Sequence, residues 1–251
     1  MSGHSKWSTI KRKKGAQDAK RGKIFTKLIK EIQVSAREGG GDEDANPRLR
    51  SAIQAAKTQN MPMANIERAI AKGTGQIEGE SYEETSYEAY GPGGVAILMK
   101  AMTDNKNRTV SEIRHLLTKM DGNLATSGSV AYLFETKGII SVAKEGTTED
   151  DVLLVAIDAG AEDIQSVEDG FVVITSPSHF EDVRSALEEG GISIEEASVS
   201  MEPSTTVKVD EDLAPKILQL MESLEDHDDI QNVYSNFDID DEILAKLQDS
   251  E

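Results

Sequence analysis

The chain has 251 residues and carries 27 Lys+Arg against 46 Asp+Glu, a formal net charge of −19. It contains no cysteine, which excludes disulfides, thiolate metal sites and cysteine nucleophiles. No apolar run approaches the length that spans a bilayer, and the N-terminus lacks the apolar core of a secretory signal. The composition therefore predicts a cytoplasmic protein of two or three domains without a membrane partner.

Charge is distributed unevenly along the chain. Residues 1–75 hold 16 Lys+Arg and 7 Asp+Glu, a net of +9, whereas residues 76–251 hold 11 and 39, a net of −28. A basic segment on an acidic chain predicts a polyanion partner, most simply a nucleic acid. One Trp, five Phe and five Tyr are too few for a broad base-stacking surface, so we expect cations to carry the contacts.

Residues 1–15 read as a basic arm without periodicity. From about Ala16 apolar residues recur at helical spacing, with lysines almost opposite to them. Lysines opposite an apolar stripe often form only a solvent-exposed helix face. The basic arm directly upstream favours the alternative, that these lysines bind phosphates. The positions predicted to contact nucleic acid are Lys6, Trp7, Lys11, Arg12, Lys13, Lys14, Lys20, Arg21, Lys23, Lys27, Lys30, Arg48, Arg50 and Arg108.

Three predicted helices make residues 16–73 a small bundle, with Asn46-Pro47 as the start of the second helix and Gly73 as the end of the third. Residues 73–84 are predicted to be a linker. Strands and helices then alternate. The pattern includes a capping box at Thr109–Glu112, strands at 129–135 and 139–143, and a helix start at Ser176-Pro177.

The predicted order of elements from 139 to 199 is βαββαβ, the ferredoxin-like split unit. The elements at 94–135 and 205–237 make a second such unit around it; one continuous sheet domain is the alternative. We therefore predict an α+β multidomain fold, an N-terminal helical bundle followed by two ferredoxin-like α+β domains, one inserted in the other. The predicted domains are 1–75 (basic arm and helices), 85–136 plus 204–240 (discontinuous), and 137–203 (inserted).

No pattern indicates catalysis, a metal site or a cofactor. The four histidines have no ligand spacing, and no two carboxylates are marked as general acid and base. Gly91–Gly94 precedes a strand and lacks the Lys-Ser/Thr of a phosphate loop, which favours a tight turn whose tip could contact a partner. The polar segment Asp104–Thr109 precedes a helix, where it can form an anion site through Arg108 or simply cap the helix through Asn107 or a neighbour.

Several segments together resemble the YebC-like family, which includes probable bacterial transcriptional regulators and a mitochondrial translational activator. The resemblance is dense over residues 1–135. It implies the three-domain fold described above, cytoplasmic location and nucleic-acid-linked regulation without catalysis. The segments are GHSKW at 3–7, AQDAKRGKIFTKLIKEI at 16–32, GGGDEDANPRLRSAI at 39–53, NMPMANIERAI at 60–70, YGPGGVAI at 90–97, DNKNRTVSEIRH at 104–115 and GSVAYLF at 128–134.

Three functions remain open at the level of sequence. The leading one is a DNA-binding transcriptional regulator that contacts phosphates through its basic N-terminal domain. The second is a translational activator that associates with the ribosome and places the same arm against ribosomal or transfer RNA. The third is an acidic protein–protein scaffold. A monomer is compatible with all three, and the sequence leaves the oligomeric state undefined.

Overall fold

The computed structural model describes residues 17–167 and 170–249, and at positions 17–21, 241, 245, 248 and 249 it describes the backbone only. Three helices form the first part of the described chain, and the first of them packs against the other two. Ile32, Leu49 and Ile66 are buried in the core between them. The helices are α1 (Gln17–Gly39), α2 (Pro47–Thr58) and α3 (Met63–Gly73).

The start of α2 follows from one buried side chain. Asn46 accepts a hydrogen bond from the Leu49 N–H at 3.1 Å, and its Nδ2 donates to the carbonyl oxygens of Ser35 and Gly40, both at 2.8 Å. The Asn46 side chain is thus the helix cap and also fixes the end of α1. A Cβ on Gly39 would lie 2.6 Å from Asn46 Nδ2, so glycine is required for this approach. The Asn46-Pro47 helix start is confirmed.

Strands and helices alternate after α3, with short 3₁₀ turns at Pro92–Gly94 and Ala131–Leu133. In chain order the elements are β1 (Glu83–Tyr90), β2 (Ala96–Thr103), α4 (Lys106–Lys119), β3 (Asn123–Leu124), β4 (Phe134–Ala143), α5 (Glu149–Asp158), β5 (Ala161–Val167), β6 (Gly170–Thr175), α6 (Phe180–Glu189), β7 (Ile194–Pro203), β8 (Val207–Val209), α7 (Ala214–Glu225), β9 (Ile230–Ser235), β10 (Phe237–Ile239) and α8 (Asp241–Asp249).

Two four-stranded antiparallel sheets organise these elements. The first has the order β3-β1-β2-β9 and buries one face against α4 and α7. The second has the order β5-β6-β4-β7 and packs against α5 and α6. Strands β8 and β10 form a separate parallel pair. The predicted α+β class of helices and antiparallel sheets is confirmed, whereas the division into ferredoxin-like domains stays a prediction.

The two sheets are linked through a continuous strand. β4 pairs with β7 from Phe134↔Pro203 to Val142↔Ile194. Its first residue, Phe134, packs with residues of the first sheet, while Ile140 and Val142 belong to the core of the second. The predicted boundary between residues 136 and 137 therefore falls inside a strand.

The predicted strand at 129–135 is wrong for all but its last two residues. The carboxylate of Glu88 accepts hydrogen bonds from the backbone N–H groups of Gly128, Val130 and Ala131 at 2.6–2.9 Å. These donors are therefore turned towards Glu88 and not towards a neighbouring strand. The chain turns through a 3₁₀ segment and enters β4 only at Phe134.

Two helix starts also differ from prediction. Asn105 caps α4 by accepting from the Arg108 N–H at 3.1 Å, which places Thr109 inside the helix. Helix α6 begins at Phe180, because Ser176 and the residues after it form a turn. Strand β1 occupies part of the predicted linker region and lies between β3 and β2 in the first sheet.

The turn predicted at Gly91–Gly94 is confirmed. Gly93 and Gly94 have φ of 69° and 77°, a backbone conformation that favours glycine, and both are exposed at the tip. Among the described residues, no helix has the length and apolar character needed to cross a membrane.

Candidate nucleic-acid interface and the Asp229 cluster

Three lysines of α1 face the C-terminal end of α7 and the residues that follow it. Lys23, Lys27 and Lys30 are spaced four and three residues apart and lie on one side of the helix. Lys27 Nζ donates to the carbonyl oxygen of Glu225 at 2.8 Å, and Lys23 Nζ lies 3.0 Å from Asp226 Oδ2. Because the last carbonyls of a helix lack partners within it and carry partial negative charge, these contacts stabilise the end of α7.

Lys30 reaches a buried carboxylate, that of Asp229. The two side chains are only 5% and 4% exposed, and Lys30 Nζ lies 2.7 Å from Asp229 Oδ1. The other oxygen, Oδ2, accepts from Thr103 at 3.2 Å, Arg108 at 2.8 Å and Thr109 at 2.7 Å. We call these five residues the Asp229 cluster. It joins α1, β2 and α4 to the connection between α7 and β9.

The cluster keeps Asp229 ionised. Burial alone would raise the pKa of its carboxyl group, but hydrogen bonds from Arg108, Lys30 and Thr109 outweigh burial and hold the pKa well below its usual value. A buried carboxylate with two cationic partners and two hydroxyl donors has its charge and its lone pairs satisfied. Lys30 is the side-chain donor to Oδ1 in the described contacts, so removing Lys30 would leave that oxygen uncompensated inside the protein.

His227 and Glu112 lie beside this cluster. One ligand atom from each of Glu112, His227 and Asp229 falls within 4.8 Å of the others, a grouping that metal sites also show. His227 Nδ1 accepts from the Asp229 backbone N–H at 3.1 Å, so the neutral ring carries its proton on Nε2, 2.9 Å from Glu112 Oε2. Nε2 then has no lone pair for a cation, and both Asp229 oxygens are engaged. The arrangement suits internal hydrogen bonding better than metal ligation.

A cleft of about 600 Å³ opens next to the cluster. Six acidic groups and three cations line it, together with Thr26, Tyr82 and His227, so the lining repels phosphate. The acids are Glu80, Asp104, Glu112, Asp226, Asp228 and Asp229, and the cations are Lys23, Lys30 and Arg108.

Arg48 also binds acids of the same chain. Its guanidinium lies 2.8 Å from Glu31 Oε1 and 2.7 Å from Glu38 Oε2, and it forms a third ion pair with Glu84. The side chain thereby connects α2, α1 and β1. Three carboxylates around one guanidinium leave no excess positive charge at this position.

Arg50 and Lys57 form a different kind of surface. Both are exposed, and they stand two turns apart on the same side of α2, a helix without any acidic residue. Arg50 donates to the carbonyl oxygens of Glu43 at 3.0 Å and Asp44 at 2.7 Å, which orient the guanidinium without neutralising its charge. We call Arg50 and Lys57 the α2 basic face. Lys57 is absent from the predicted contacts, although its seven-residue spacing from Arg50 is the signal that identifies it.

The predicted contacts thus fall into three groups. Lys23, Lys27, Lys30, Arg48 and Arg108 are engaged within the chain, and Arg50 is exposed on the α2 basic face. The side chains of Lys20 and Arg21 and the whole of Lys6, Trp7, Lys11, Arg12, Lys13 and Lys14 lie outside the described residues.

Comparisons with known proteins match both parts of the chain. A family model described as the TACO1/YebC protein N-terminal domain matches residues 5–76, and one described as the TACO1/YebC second and third domain matches residues 82–237. Both curated relatives below are named probable transcriptional regulatory proteins. The one from Desulfotalea psychrophila is 60% identical over 98% of this chain and 99% of its own length. The one from Syntrophobacter fumaroxidans is 58% identical over 98% and 100%.

A solved structure extends the match to three dimensions. The crystal structure of a conserved hypothetical protein from Aquifex aeolicus is 50% identical, covers 90% of this chain and 94% of that one, and superposes with a TM-score of 0.78. Sequence models and relatives that span nearly the whole length agree with it. The chain therefore belongs to the TACO1/YebC family.

Proposed function

We propose that this chain is a non-enzymatic, nucleic-acid-binding regulator of gene expression, in the first place a DNA-binding transcriptional regulator. Two findings support this function. The curated relatives carry the name of probable transcriptional regulatory proteins, and the first 75 residues hold a net charge of +9 on an otherwise acidic chain. The titratable groups gathered around Asp229 are engaged with one another, which supports a structural role for them over a catalytic one.

The basic arm is the proposed main contact with phosphate. Residues 1–16 contain five cations and no acid. Lys30, Arg48 and Arg108 are neutralised by carboxylates of the same chain, which leaves the arm as the densest group of cations without a neighbouring acid in the sequence. This internal neutralisation is the observation that carries the proposal.

The test measures binding of the full chain to a labelled duplex of about 20 base pairs across a salt series. If about six phosphates are neutralised, log affinity should fall against log salt with a slope near −5. A variant in which four of the five arm cations become glutamate should bind at least ~100-fold more weakly and with a shallower slope. The substituted positions are Lys11, Arg12, Lys13 and Lys14.

A matched control distinguishes a specific contact made by the arm from a general effect of the net charge. It reverses four exposed cations of the acidic part, so the net charge changes by the same amount. Those positions are Lys100, Arg114, Lys119 and Lys208. Equal weakening by both variants, or a salt-independent affinity in the wild type, would contradict the arm as the contact surface.

The charge distribution also favours a second candidate, a translational activator that binds ribosomal or transfer RNA. Residues 76–251 carry a net charge of −28, and such a body is repelled by a long duplex on either side of the arm. A folded ribonucleoprotein surface, where basic proteins stand beside RNA, accommodates both signs of charge. Comparison of duplex DNA with ribosomes at one salt concentration separates the two candidates.

A further inference from the structure

Helix α5 has apolar side chains on two opposite sides. Val152 and Ala156 are fully buried in the core of the second sheet. Leu153, Leu154 and Ile157 are 48%, 69% and 48% exposed. At about 100° of rotation per residue, these three side chains cluster on the side of the helix that faces away from the core. We call them the α5 ridge.

A surface helix ordinarily has one apolar stripe, facing the core, and a polar outer face. Contiguous exposed apolar side chains, unlike scattered ones, mark surfaces that bind another molecule. The α5 ridge lies on a regular helix whose start is fixed by a capping box between Thr148 and Asp151. The ridge is therefore a rigid, preformed surface.

The charge around the ridge restricts what can bind there. Residues 134–203 contain 17 Asp+Glu and 3 Lys+Arg, a net of −14. Lys137 lies 2.9 Å from Glu162 and Arg184 lies 2.8 Å from Glu181, so these cations are engaged locally. Helix α5 has four acids and no cation. This surface repels nucleic acid, and it repels the same acidic surface of a second copy of this chain.

We propose that the α5 ridge binds a segment of a basic protein that presents apolar side chains at helical spacing among lysines or arginines. The apolar anchors would supply the affinity, and the surrounding acids would select the positive partner and speed its association. The site is independent of the proposed nucleic-acid surface. With both in use, the chain links a nucleic acid to a basic protein.

The probe is a synthetic peptide of about 16 residues with Leu at positions i, i+3, i+4 and i+7 and Lys elsewhere, together with a twin in which Glu replaces every Lys. Binding to the full chain is measured by fluorescence anisotropy at ~0.15 M salt. The Lys peptide should bind in the micromolar range and the Glu twin should not. Changing the whole ridge, Leu153→Ser, Leu154→Ser and Ile157→Ser, should weaken binding at least ~10-fold without altering the charge.

Val199→Ser is the matched control, because Val199 is 49% exposed on β7, an edge strand of the sheet against which α5 packs. It should leave peptide affinity unchanged. Leu154→Ser alone removes the most exposed ridge residue and should weaken binding about threefold, so the test remains decisive if the triple variant does not fold.

Three outcomes would overturn the proposal. Equal peptide affinity in ridge variants and wild type would show that charge alone attracts the peptide. Concentration-dependent dimerisation in sedimentation velocity that Leu154→Ser abolishes would assign the ridge to a second copy of this chain. Loss of nucleic-acid affinity in Leu154→Ser, with peptide binding intact, would assign it to nucleic acid.

Discussion

A single carboxylate, that of Asp229, joins segments that are far apart in the chain. Lys30 is 199 residues away and Arg108 is 121 residues away, yet both bind the same side chain. Replacing Asp229 by Asn removes the negative charge and leaves the buried Lys30 without its carboxylate partner, whereas Arg108 keeps its ion pair with Asp104. We expect Asp229→Asn to lower the free energy of unfolding by about 3 kcal/mol, measured by urea denaturation at pH 7.

The pH dependence of this loss identifies the ionised carboxylate as its cause. Because folding depresses the pKa of Asp229, its contribution is complete above the unfolded pKa near 3.8 and is lost as pH falls towards the folded pKa. The stability difference between wild type and Asp229→Asn should therefore be constant from pH 7 to about 5 and shrink below about pH 4. Asp228→Asn is the control, since that neighbouring side chain is exposed. Equal losses from both variants would contradict a special role for Asp229.

Glu88 has a comparable role at a turn. Burial on its own would raise the pKa of its carboxyl group, but hydrogen bonds from the N–H groups of Val130, Gly128 and Ala131 outweigh burial and lower it. Glu88→Gln places an amide NH₂ against one set of these donors and should cost about 2 kcal/mol of unfolding free energy. Hydrogen exchange at residues 128–131 should speed up in the variant. Glu83→Gln, at an exposed position of the same strand, should change neither measurement.

At the scale of elements, local signals predicted the helices well. Asn46-Pro47 carries its own cap, and the Gly39–Gly41 run permits the left-handed residue that follows α1. The strand prediction for the segment before Phe134 was wrong because the apolar residues of this segment resemble those of a strand. Its backbone N–H groups bind Glu88 instead, which lies 40 positions before Gly128. The start of strand β1 was predicted as linker because its residues are polar and mostly exposed, so the sequence has no clear alternation of apolar and polar residues there.

The α2 basic face gives a prediction at the same scale. Arg50→Glu with Lys57→Glu should weaken binding of the full chain to duplex DNA by about 10-fold at ~0.1 M salt, since two phosphate contacts become repulsive. The melting temperature should change little, because both side chains are exposed and neither neutralises an acid in the described contacts. Electrophoretic mobility shifts and thermal unfolding measure the two effects.

The control for this variant reverses Arg114 and Lys119, two exposed cations of α4. The net charge falls by the same four units as in the α2 variant, so any difference between the two reports position and not total charge. Arg48→Ala makes the opposite comparison. It should lower stability, because Glu31, Glu38 and Glu84 lose their shared partner. A larger effect of Arg48 than of Arg50 and Lys57 on DNA affinity would contradict the assignment of the α2 basic face.

At the scale of the whole molecule, the sequence predicts the separation of charge but not its internal use. Lysines opposite an apolar stripe look the same whether they meet phosphate, water or the end of another helix. The partners of Lys23, Lys27 and Lys30 lie in residues 225–229, and only the fold brings that segment to α1. The sequence thus predicts that Lys23, Lys27 and Lys30 lie on one face of α1. The partners of these lysines could not be predicted from the order of residues.

The last prediction concerns DNA against the ribosome. A duplex carries about one charge per 1.7 Å of axis, and free charges are screened only beyond ~8 Å at physiological salt. The net charge of −28 on residues 76–251 should therefore weaken binding to any long duplex at ~0.15 M salt, and a specific duplex should bind little better than a scrambled one. A ribosomal site with basic proteins nearby could receive both the basic and the acidic part of the chain.

Cosedimentation with ribosomes measures this directly. Salt-sensitive pelleting that disappears when Lys11, Arg12, Lys13 and Lys14 become glutamate, with weak and sequence-independent DNA binding, would support the translational function. Tight binding to one promoter sequence over scrambled DNA at the same salt, without pelleting, would support the transcriptional function and exclude the ribosomal one. The same four cations are changed in the ribosome assay and in the DNA assay. Loss of binding in both assays would therefore establish the basic arm as the contact surface. The preference of the wild type for DNA or for ribosomes would identify the target.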